Sequence, residues 1–217
     1  MEQSDSNERL SGLTHLVATL LSIAGLALLV TLAAFRGTAV HVVTFAIFGA
    51  SLVLLYLMST LYHFLSRNHP AKDLFRILDH ITIYLLIAGT YTPLVLIVLP
   101  SSWGWSLFGV IWGLALCGVL AKTFRLALSG WISAVFYILM GWLIVIALVP
   151  LKDALPLEAI WWLLAGGIFY TAGTIFFALD NVVKPGKWYT LHDVFHIFVM
   201  LGSFSHFWFM FKFVLPA

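Results

Sequence analysis

The chain has 217 residues, 62% of them hydrophobic and 9% charged, with a formal net charge of +2 and a mean hydropathy of +1.05. A soluble domain is about a quarter charged, so the composition excludes an ordinary soluble globular protein. The 11 Lys and Arg are scattered and face 9 acids, which argues against nucleic acid as a partner. Cys117 is the single cysteine, which excludes an intramolecular disulfide and a cysteine-rich metal site.

Apolar runs of about 20 residues cross a bilayer as helices. Seven are predicted, at 13–35, 41–64, 79–99, 103–121, 131–150, 157–179 and 190–214. The expected fold is an all-α, seven-transmembrane-helix bundle, with residues 1–217 forming one membrane domain. The opening "MEQSDSNERL" is acidic and the first run is too long for a signal-peptide core, so the first span is expected to be retained. The connecting segments are short, which predicts sequential helices as neighbours in an up-down bundle.

In chain order, span 1 carries His15 in its first turn. Span 2 ends in "STLYHF", with Ser59 and His63 four residues apart. Span 3 opens with Asp79 and His80. Cys117 lies inside span 4 and is read as packing. Span 6 ends at Asp180, and span 7 opens with His192, Asp193 and His196. His41 and His69 fall in or beside loops and are expected to be solvated. Trp103, Trp105, Trp131, Trp161, Trp162 and Trp188 fall near span ends and are read as interfacial anchors.

Positive charge sets the direction of the bundle. One side holds Arg9, Arg67, Lys72, Arg76, Lys122, Arg125, Lys184 and Lys187; the other holds Arg36, Lys152 and Lys212. The N-terminus is therefore expected in the cytoplasm and the C-terminus outside, opposite to G-protein-coupled receptors. On that assignment His15, His63, Asp79, His80, Asp180, His192 and His196 gather at the cytoplasmic face. Lys and Arg counts alone set the direction, so this clustering is a separate result.

Ionisable groups inside a membrane are costly and mark function. His192 and His196 share one helix face, about 6 Å apart in rise, and can bind one ion. His63 as a third ligand gives three histidines and an open fourth position, the pattern of catalytic zinc. Such an ion lowers the pKa of a bound water to about 7. Asp79 is placed to take that water's proton or to orient it, and Ser59 to hydrogen-bond a ligand or substrate. Three imidazoles also accept other divalent ions.

The neighbouring polar residues have plainer readings. Asp193 points about 100° away from His192 around the helix and is expected to be a helix-start charge facing the loop. His80 is turned away from Asp79, or else supports the site. His206 lies about 21 Å along the axis from His192, too far to share its ion. It lines a polar cavity or bonds a neighbouring helix.

Four stretches carry a family resemblance: "STLYHFL" at 59–65, "LDHITIYLLIAGTYTP" at 78–93, "GW" at 141–142 and "LHDVFHIFVMLGSFSHF" at 191–207. Together they resemble the haemolysin III family, within the progestin and adipoQ receptor (PAQR) superfamily. The superfamily's S-x3-H, Asp and H-x3-H motifs fall on Ser59, His63, Asp79, His192 and His196. Its E-x2-N-x3-H pattern matches Glu8 and His15, with Ser11 at the Asn position. The resemblance implies a seven-helix bundle, N-terminus inside, with zinc held by three histidines near the cytoplasmic face. It extends to alkaline ceramidases, in which related residues support hydrolysis of a lipid amide. The compact loops fit the bacterial branch and its inner-membrane location.

The leading expectation is a zinc-dependent intramembrane hydrolase of a lipid amide or ester, with membrane lipid as both bilayer and substrate. The alternatives are a non-enzymatic zinc-stabilised receptor or membrane-state sensor, a pore-forming cytolysin, and a transporter or channel.

Overall fold

The computed structural model describes residues 2–99, 101–126, 130–180 and 190–216; of residues 2–8, 101 and 130 only the backbone is described. Lys184, Lys187, Trp188 and the side chain of Glu8 therefore lie outside the described residues. All regular structure among the described residues is helical.

Seven helical spans are long and apolar enough to cross a membrane: Arg9–Arg36, Ala39–Phe64, Lys72–Val98, Ser102–Thr123, Trp131–Ala154, Leu157–Leu179 and Leu191–Val214. They match the expected seven in order. Span 3 starts seven residues before its expected position: "KDLFR" is helix, not loop. These residues form a polar first turn and a half, where the exposed Asp73 and Arg76 pair at i,i+3 with a 3.3 Å separation. Apolar run length does not register such a turn, because its side chains stand outside the hydrocarbon.

Spans 1, 2, 3, 5, 6 and 7 form a ring: 1 packs on 2, 2 on 3, 3 on 5, 5 on 6, 6 on 7, and 7 closes on 1. Span 4 leans on span 3 from outside, so the expectation of sequential neighbours fails between spans 4 and 5. Cys117 on span 4 is exposed on the outer surface rather than packed. Trp103, Trp105, Trp131 and Trp161 are exposed, as interfacial anchors must be.

Span 5 is broken. Its helix Gly130–Trp142 tightens into a 3-10 stretch, Leu143–Ala147, and resumes at Leu148–Ala154. Pro150 has no N–H and clashes with the carbonyl four residues back, which disrupts the ladder there. Tyr91 of span 3 fills the gap. Its hydroxyl accepts from the Ile144 N–H at 2.7 Å and faces the Met140 and Gly141 carbonyls at 3.0 and 2.8 Å. Irregular backbone at membrane depth persists only when such partners satisfy it.

Candidate metal centre

The seventh span begins with a reciprocal cap. Thr190 Oγ1 accepts from the Asp193 N–H at 3.2 Å, and Asp193 Oδ2 accepts from the Thr190 N–H at 2.8 Å, a capping box. The His192 N–H, another first-turn donor, gives to Asp180 Oδ1 at the end of span 6 at 3.0 Å. These bonds fix the helix start, and therefore the face on which His192 and His196 project.

On that face the imidazole nitrogens converge. His192 Nε2 lies 3.1 Å from His196 Nε2 and 3.4 Å from His63 Nε2 of span 2. The three histidines each offer a ligand atom within 4.8 Å of the others, and these residues could hold a metal ion. The chemistry of the donors fits a cation. A neutral imidazole Nε2 carries either one hydrogen or one lone pair, so His192 can satisfy only one of its two neighbours by hydrogen bonding. One cation takes lone pairs from all three. Metal–imidazole bonds of about 2.0–2.1 Å place two nitrogens of a tetrahedral site about 3.3 Å apart, close to the observed pair distances.

Behind the rings, the Nδ1 atoms of His63 and His196 are buried without a hydrogen-bond partner among the described residues. Packing orients them instead: His63 meets Tyr62 edge-on, and His196 lies against His15.

A cavity of about 520 Å3 opens from this centre into the ring of spans. His192 and His196 line it, together with Ser59 and Asp79. Ser59 is buried, and its side chain interacts with the Asp79 carboxyl. Four of the five sequence-predicted site residues thus line one chamber, and His63 joins it through His192. His80 donates from Nδ1 to the Arg76 carbonyl of its own helix at 2.6 Å and lines the wall. At the far end, His206 donates from Nε2 to the Leu163 carbonyl at 3.2 Å and also lines the cavity, so both of its plainer readings hold. Thr90, Tyr91, Trp142 and Thr171 surround that end.

The profile of the family described as Haemolysin-III related matches residues 3–207. The chain belongs to that family. It is 43% identical to Hemolysin-3 of Bacillus cereus over 218 aligned positions, covering 100% of this chain and 96% of that protein. It is 40% identical to the Hemolysin-3 homolog of Bacillus subtilis (strain 168), covering 91% and 89%. Monocyte to macrophage differentiation factor of Homo sapiens, a distant relative in the PAQR superfamily, is 25% identical over 180 positions, covering 79% and 71%.

In this haemolysin III-related chain, sequence reasoning missed the parts played by Asp193, Tyr56 and Tyr170. Asp193 does not face the loop. It is 5% exposed and accepts a hydrogen bond from Ser11 of span 1 at 2.5 Å, besides its capping bonds. Tyr56 of span 2 donates to Ser203 of span 7 at 2.6 Å, and Tyr170 of span 6 meets the same hydroxyl at 2.8 Å. Spans 2, 6 and 7 are tied together there. A tyrosine in an apolar run gives no sequence signal that its hydroxyl meets two other spans.

Proposed function

We propose that this protein is a zinc-dependent intramembrane hydrolase of a lipid amide or ester. The observation that carries the reading is a three-imidazole cluster, two of whose members, His192 and His196, line a 520 Å3 cavity that also holds Asp79 and Ser59. His63, His192 and His196 would hold the zinc. Bound there, it supplies Lewis acidity toward water and carbonyl oxygen.

The chain's own residues do the rest. The apolar cavity wall of Leu55, Ile83, Leu86, Ile87 and Val199 accepts an acyl chain and excludes bulk water. Asp79 takes the proton of the attacking water as its oxygen bonds to the acyl carbon. It then gives that proton to the nitrogen or oxygen that leaves when the C–N or C–O bond breaks. Ser59 orients the Asp79 carboxyl. The charge distribution along the chain supports a cytoplasmic N-terminus in a bacterial inner membrane, with the site facing the cytoplasm.

The test is release of fatty acid from ceramides and other lipid amides or esters by the purified protein. Asp79→Asn lowers turnover by about 10²–10⁴-fold, the usual worth of a general acid–base, while metal content stays unchanged. Wild-type rates in that variant would sink the mechanism.

A zinc-stabilised receptor or sensor is the second reading. It draws on the tie between spans 2 and 7 that His63 makes with His192 and His196. A histidine variant that unfolds, in a wild type that cleaves no lipid, favours it. One that stays folded while cleavage stops favours the hydrolase.

A further inference from the structure

We infer that Ser11 and His15 of span 1 are positioning residues for the metal centre, holding the His196 ring in its ligating plane and the first turn of span 7 in place. The inference rests on the metal reading above and concerns residues outside the three-histidine set.

The imidazole of His15 is stacked flat on that of His196, with centroids 3.6 Å apart and planes 9° from parallel. Both rings are buried, at 3% and 1% exposure. A metal-bound histidine is normally held by a hydrogen bond from its second ring nitrogen. His196 Nδ1 makes none among the described residues. Rotation about χ2 of histidine is broad and weakly restrained; the His15 face, with the Ser11 carbonyl beside the ring, sets the plane. Neither nitrogen of His15 has a hydrogen-bond partner among the described residues, so the stack and the edge contact with Tyr56, at 5.0 Å and 81°, define its place.

Ser11 sits one turn before His15 on the same face. Its hydroxyl donates to Asp193 at 2.5 Å, and its carbonyl lies beside the His196 ring. Ser11 and His15 thus grip span 7 at two consecutive points, Asp193 and His196. Gly12 between them lets span 2 approach: a Cβ there would meet the Phe64 ring at 2.7 Å. Phe64 follows the ligand His63 directly, so span 1 seats against both helices that supply ligands.

The test uses the full chain in detergent, loaded with cobalt(II) in place of zinc. Visible absorption reads the ligand geometry, and release to a chelator reads affinity. His15→Leu keeps comparable bulk but removes the flat face. It is expected to shift the cobalt bands and speed release about 10–100-fold, the usual effect of losing a ligand-orienting partner. His15→Phe restores a flat ring without nitrogens and is expected to return both readouts toward wild type. Wild-type bands and release in His15→Leu would overturn the inference. So would a His15→Phe protein as perturbed as His15→Leu, since the nitrogens would then be the active part. Should the Leu variant not fold, Ser11→Ala carries the test, and unchanged release in it overturns the role of the clamp. Wild-type protein that takes up no cobalt overturns the metal reading and this inference together. Cobalt-binding wild type with unaffected variants overturns the inference alone.

Discussion

The Nε2 atoms of His63 and His192 lie 3.4 Å apart although 129 positions separate them in the chain. With His196 Nε2 3.1 Å from the same His192 atom, three nitrogens compete for one hydrogen or lone pair. A divalent ion held there would resolve the competition. Purified protein is expected to carry close to one metal ion per chain, and the His63, His192 and His196 triple-Ala variant none. Elemental mass spectrometry of both reads this directly, and metal-free, well-folded wild type would refute it.

Tyr91 is expected to hold the broken fifth span together. Its hydroxyl is the partner of the Ile144 N–H and faces two carbonyls. Tyr91→Phe leaves these groups unpaired at membrane depth, a loss of about 1–3 kcal/mol. Thermal unfolding in mild detergent should show a lower midpoint for this variant. An unchanged midpoint would mean that span 5 supplies its own partners.

Gly166 of span 6 makes room for His206. A Cβ at that position would overlap the His206 ring and push Nε2 from the Leu163 carbonyl. Gly166→Ala is expected to destabilise by about 1–3 kcal/mol, as overpacking does. Adding His206→Ala should recover part of that loss, because residues in contact are not additive. A double variant whose loss equals the sum of the two singles would refute the contact.

Lys212 and Glu158 pair at 2.6 Å between spans 7 and 6, with side chains 42% and 57% exposed. Exposure limits such a pair to about 0–1 kcal/mol. Lys212→Ala should therefore shift the unfolding midpoint much less than Tyr91→Phe, although its bond is the shorter. The same unfolding assay compares the two, and a larger effect at Lys212 would contradict the burial argument.

The direction of the bundle has its own check. In a Cys117→Ala background, a membrane-impermeant maleimide added outside intact cells should label Leu155→Cys, which opens the short segment between spans 5 and 6. It should label His69→Cys, between spans 2 and 3, only after the membrane is opened. The reverse pattern would place the three-histidine cluster on the outer side.

The amino-acid sequence by itself determined the seven spans, because bilayer thickness converts directly into apolar run length. It also determined that His192 and His196 share a face, because helix geometry is local and repeats every 3.6 residues. That Ser59, His63 and Asp79 sit at the same depth followed from their places at span ends.

Only the tertiary structure decided how the spans turn toward one another. In a bilayer the lipid-facing and bundle-facing surfaces are both apolar, so hydropathy does not say which face of a helix meets its neighbour. That is why His15 read only as one of the polar residues at the cytoplasmic face, Asp193 as a loop-facing charge and span 4 as a neighbour of span 5. Packing turned His15 flat onto His196, drew Asp193 inward to Ser11, and left span 4 outside. The cavity that joins Asp79 and Ser59 to the histidines exists only once six helices close around it.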